Sequence, residues 1–238
     1  LLVAFVTGLT MAATTLVAQY AGARQQEMVR RTVANTIGLL VICGAAFSLL
    51  GVAFHRMILR LIQTPPSIIP LASDYLSIYL SGLIFTFVYN AASSILRGLG
   101  DSYSPTLFLV YATVTNIVLD PLFIFGPGPF PRLGVAGAAW ATVIAQALAA
   151  VLSVRHLYAV NRLLPSSPAA YRPRADLTLQ TVKIGLPAGL QQTIVSFGAL
   201  VLSALVNSFG PTVTAAFGAA GRLDQFSFLP TMSLSLAT

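Results

Sequence analysis

Charge is what this 238-residue sequence has least of: only 8% of its residues are Asp, Glu, Lys or Arg, against about 25% in soluble domains. That scarcity excludes an ordinary water-soluble domain. A single cysteine, Cys43, excludes an intrachain disulfide and, standing inside an apolar run, belongs to no metal motif. The two histidines, His55 and His156, lie near segment ends with no carboxylate or cysteine at ligand spacing, so both are expected to be bystanders. No His-Glu-x-x-His motif, no Gly-x-Ser-x-Gly motif and no pair of carboxylates within one apolar run is present, which argues against an enzyme. Net charge is +7, from 13 basic and 6 acidic residues. The basic residues are scattered at the ends of apolar runs, however, and form no patch for nucleic acid.

What is present is apolar: 56% of the residues are hydrophobic, gathered in runs of the length needed to cross a bilayer as helices. The fold class is therefore an all-α membrane protein, a polytopic helical bundle. Seven crossings are expected. The first runs from the start to Gln19, the second from Val33 to Ile62, the third from Ile69 to Leu96, and the fourth from Pro105 to Phe125. The fifth runs from Gly134 to Val160, the sixth from Leu177 to Val206, and the seventh begins near Val213. Pro65-Pro66 and the Gly/Pro-rich stretch 126–131 cannot continue a helix and read as links. The longest polar stretch, Asn161 to Asp176, reads as a linker between two halves, 1–160 and 177–238. With no basic leader at the start and apolar runs interrupted at both ends, the sequence is expected to be a piece of a longer protein.

One acid stands deep inside an apolar run, whereas Asp74, near the start of the third crossing, is expected to be interfacial. Asp120 lies in the fourth crossing, where a carboxyl costs about 2.5 to 3.5 kcal/mol on insertion scales and so marks a site. Asn116, four residues earlier, shares its helical face, and Thr113 extends the stripe. Pro121 removes the backbone donor that would bond to Ile117 and invites a bend beside the acid.

Nine basic residues, Arg24, Arg30, Arg31, Arg97, Arg155, Arg162, Arg172, Arg174 and Lys183, fall on one side of the expected crossings, against Arg56, Arg60, Arg132 and Arg222 on the other. The positive-inside rule puts the links 22–31, 97–101 and 161–176 in the cytoplasm. Asp120 then lies toward the outer half of its helix. A loose echo between Gly8–Thr14 and Met232–Thr238 fits a transporter built from two similar halves.

Five short motifs in one order carry a resemblance. Val17-Ala-Gln-Tyr-Ala-Gly22, Ile95-Leu-Arg-Gly-Leu-Gly-Asp101, Asn116-x3-Asp120-Pro121, Gly134-Val-Ala-Gly-Ala-Ala139 and Gly185-Leu-Pro-Ala-Gly-Leu-Gln-Gln192 resemble the multidrug and toxic compound extrusion (MATE) family of cation antiporters. The resemblance implies two six-helix lobes, with this chain carrying family helices two to seven and part of eight: a nearly complete N-lobe and a truncated C-lobe. It implies exchange of small organic cations for protons or sodium ions, with no other cofactor, by a multi-pass protein of a bacterial or archaeal inner membrane that acts as a monomer when full length. In the DinF-like branch an Asn and an Asp of family helix five serve the coupling ion; these match Asn116 and Asp120, where sodium would be held. The NorM-like branch places a Glu in helix seven near Val195, and no acid lies between Leu177 and Val206. The resemblance further implies a tyrosine from the third crossing, either Tyr75 or Tyr79, and a threonine from family helix six, for which Thr142 is the candidate. Asn90 and Gln191 are candidate cavity amides. A lipid-linked precursor flippase of the same superfamily is the alternative, but the few basic residues on the outer side and the acid Asp120 do not suit a pyrophosphate.

Overall fold

Apolar runs punctuated by proline and glycine become seven helices in the computed structural model, which describes residues 2–61, 66–126, 132–159, 171–210, 213, 216–222 and 224. The helices are α1 (Leu2–Gly22), α2 (Gln26–Leu61), α3 (Ile69–Ser81), α4 (Leu83–Gly98), α5 (Tyr103–Phe125), α6 (Val135–Ala159) and α7 (Ala175–Ser208). No strand occurs among the described residues. Five stretches are long and apolar enough to cross a membrane: α2, α3 with α4, α5, α6, and Ala175–Ser203 within α7. Large apolar side chains point outward along them, Leu49 at 73% exposure and Ile117 at 63%, as lipid-facing positions must.

The second to sixth expected crossings appear as these five stretches, with shifted edges, and the first is helical as α1. The polar link Gly22–Arg31 shortens to the turn around Arg24, because α2 already begins at Gln26. The charged residues 27–31 are helical, with Glu27 and Arg31 paired one turn apart at 2.9 Å. The third crossing is broken at Gly82, where α6 comes so near that a Cβ would strike the Val143 side chain. Helix α5 continues through Pro121 and ends at Gly126, whose left-handed backbone (φ 63°) suits glycine. The linker ends at Arg174, since Ala175 opens α7; residues 161–170 lie outside the described residues, as do 127–131. The seventh crossing and the echo segment 232–238 fall largely or wholly outside them too, although 216–222 are helical.

Two compact units result, Leu2–Gly189 and Leu190–Thr238 with Leu1. In the larger unit one core joins α1, α2, α4 and α6 through Val17, Val33, Ile95, Leu96 and Leu157. A second gathers Leu9, Leu40, Leu83 and Phe87. A third, Ala112 against Ala145 and Ala149, draws α5 close to α6. Small side chains let those two backbones approach. In the smaller unit the second part of α7 exposes Ile194 and Leu200.

Candidate functional site

Helix α5 is started by its own turn. The left-handed Gly100 (φ 89°) reverses the chain, and the Asp101 carboxylate then accepts the Ser104 backbone N–H at 2.9 Å, covering a donor that the first helical turn leaves open. Four turns further on, the helical period sets Asn116 and Asp120 on one face. The Asn116 Nδ2 donates to Asp120 Oδ1 at 3.3 Å and lies 3.4 Å from Thr142 Oγ1 on α6. Thr142 is held in turn by donating to the Ala138 carbonyl at 3.0 Å. Asn116, Asp120 and Thr142 are all half-buried. Both contacts of the amide lie at the long end of hydrogen-bond distances, so they are weak and adjustable. Their chemistry is one carboxylate flanked by a neutral amide and a hydroxyl, a set that can hold a proton or an alkali cation. Among the described residues no three His, Cys, Asp or Glu side chains converge.

Of the residues singled out from sequence, the structure brings together Asn116, Asp120 and Thr142. Thr113 is exposed and donates to Leu109 of its own helix at 2.8 Å. Tyr75 and Tyr79 stack on each other, ring centres 6.2 Å apart and nearly parallel. Asn90 gives its amide to the Thr86 carbonyl at 2.8 Å, a bond within α4. Gln191 belongs to the smaller unit and is exposed.

Both histidines were undervalued by sequence spacing. His156 on α6 lies 3.2 Å from Asp101 Oδ2, with the Phe108 ring edge-on at 5.6 Å. Burial alone would raise the Asp101 carboxyl, but hydrogen bonds from Ser104 and His156 and the charge of His156 bring it below its ordinary value. His55 joins α2 to α3 through Ser73, at 2.8 Å. Separations of 55 and 18 residues follow no ligand motif, and only helix packing creates these pairs.

Known proteins agree with this architecture. The MatE family model matches residues 1–122. The chain is 35% identical over 233 residues to a probable multidrug resistance protein, YpnP, of Bacillus subtilis, covering 98% of this chain and 51% of that one. It is 34% identical over 194 residues to an FAD transporter of Shewanella oneidensis, covering 80% and 42%. Among solved structures, a MATE protein in a bent conformation superposes with a TM-score of 0.87 at 25% identity, over 98% of this chain and 52% of that one. A transporter of the MOP superfamily from Pyrococcus furiosus, described as having a binding pocket of reversed polarity, gives 0.82 at 26% identity over 99% and 52%. The chain thus spans about half the length of the relatives it matches. With a bundle of membrane-length helices, an acid and an amide one turn apart in α5, and a family model matched over half of the sequence, this chain belongs to the MatE, or multidrug and toxic compound extrusion, family.

Proposed function

We propose that the full-length protein is a secondary antiporter that exports organic cations or drugs across a bacterial inner membrane in exchange for protons or sodium ions, with Asp120 as its coupling acid. The observation that carries this reading is the contact of Asp120 with Asn116, and of Asn116 with Thr142 on the neighbouring helix. In the arrangement seen, the amide turns its N–H2 to the carboxylate. Holding a cation there requires the amide to rotate and present Oδ1 instead, which the long contacts permit. Protonation removes the carboxylate charge and leaves an O–H donor, so ion occupancy changes what Asn116 and Thr142 can bond. Such a difference between two occupied states is what biases a conformational equilibrium.

Replacing Asp120 with Asn in the full-length protein should abolish ion-driven drug efflux while leaving insertion in the membrane intact. Efflux at the parent rate would refute the assignment. Imposing a proton gradient or a sodium gradient alone on proteoliposomes separates the two coupling ions. A flavin nucleotide is the second cargo reading, favoured by the 34% identity to the Shewanella FAD transporter. Competition between a fluorescent drug cation and FAD distinguishes the two, and a lipid-flipping assay tests the precursor flippase. The relatives described above carry transport and resistance names, in keeping with a non-enzymatic role.

A further inference from the structure

Away from Asp120, the start of α7 and the chain leading into it are held to the first turns of α2 by one side chain. Asn35 is 1% exposed. Its Oδ1 accepts the Arg174 backbone N–H at 2.8 Å and the Thr178 hydroxyl at 3.2 Å. It therefore caps a helix from 139 positions away, covering a donor that α7 cannot satisfy by itself. A local cap only prevents fraying, whereas this one ties two distant parts of the fold.

The surroundings of the cap are polar and thin. Thr32, one turn before both Asn35 and Thr36 on α2, brings the three polar side chains to neighbouring positions. Among the described residues both hydroxyls and the Asn35 Nδ2 are buried without a hydrogen-bond partner. Gly38, one turn on, lies against the Tyr171 carbonyl with no room for a Cβ. Two turns further along α7 the helix meets α1 backbone to backbone, a Cβ on Gly185 falling 2.8 Å from the Gly8 carbonyl oxygen. A seam meant to stay shut gains most from interdigitated apolar side chains or fully paired polar groups. This one buries Leu177 and Thr181 of α7 but leaves three polar groups without partners among the described residues, and water reaching it would pair them.

We propose that Asn35 is a releasable latch, closed on Arg174 and Thr178 in one state of the transport cycle and open in another. The proposal rests on the transport reading above. Its test is a disulfide between Asn35→Cys and Thr178→Cys in the full-length protein, with Cys43 and any other native cysteine changed to serine. Oxidation should join the pair, lower drug efflux by about tenfold or more relative to the reduced protein, and reductant should restore it. Failure of the pair to join, or efflux by the joined protein at the reduced rate, overturns the latch. Disulfide formation in purified protein gives a readout that needs no transport. At fixed pH, its rate should change about threefold or more when sodium or the lipophilic cation tetraphenylphosphonium is added. A rate indifferent to both overturns the latch as well. Absence of ion-driven efflux in the parent protein would instead strike the transport reading, leaving the rate measurement to decide the latch.

Discussion

Thr142 was the least obvious member of the acid cluster, since no sequence spacing links it to Asn116 across 26 positions. Its hydroxyl offers the amide a neutral acceptor that competes with the carboxylate. Thr142→Val keeps the shape and removes the oxygen, at a stability cost of about 0.5–1.5 kcal/mol. Ion-driven efflux should then fall about three- to tenfold with insertion unchanged, and an unaltered ion dependence would remove Thr142 from the site. Asp101 makes a separate prediction. Its carboxyl is held below the ordinary 3.8 in the folded protein, so the folded state binds that proton less readily than the unfolded one. The resulting stability is present above the ordinary value and is lost as pH falls through the folded value. His156→Ala should move the acid end of a melting-temperature profile to higher pH; identical acid limbs would show that the pair contributes nothing.

Helices α1 and α7 depend on glycine where Gly185 meets the Gly8 backbone with no space for a side chain. Helices α5 and α6 do so at one end, where a Cβ on Gly137 would strike the Phe123 carbonyl, and are spaced elsewhere by Ala112, Ala145 and Ala149. Gly185→Leu should cost about 1–3 kcal/mol through overpacking, read as a lowered melting temperature in detergent. Gly198→Leu is the control on the same helix, because a Cβ there meets nothing within 4 Å. Equal losses for the two would mean that helix propensity and not contact is at stake. The element scale also explains why the third crossing reads as one run of sequence and yet breaks. Gly82 looks like any small residue in an apolar stretch, and the break becomes visible only with Val143 of α6 in place beside it.

For the whole molecule, orientation follows from basic residues that bracket the helices. Ser102→Cys in a Cys43→Ser background is exposed beside the α4–α5 turn, and Leu133→Cys is exposed ahead of α6. If the turn is cytoplasmic, an impermeant maleimide applied to intact cells should label Leu133→Cys and spare Ser102→Cys. The reverse pattern would invert the topology. Sequence by itself determined the class, the approximate crossings and the pairing of Asn116 with Asp120, since bilayer length and the 3.6-residue period are local rules that act within one segment. Only tertiary structure decided that Thr142 completes the cluster, that Tyr75, Tyr79 and Asn90 turn to nearer partners, that His156 meets Asp101, and that Asn35 caps α7. The contacts of Thr142 with Asn116, His156 with Asp101 and Asn35 with Arg174 join residues 26 to 139 positions apart, and their partners are chosen by which helix faces pack together, a choice no single segment contains.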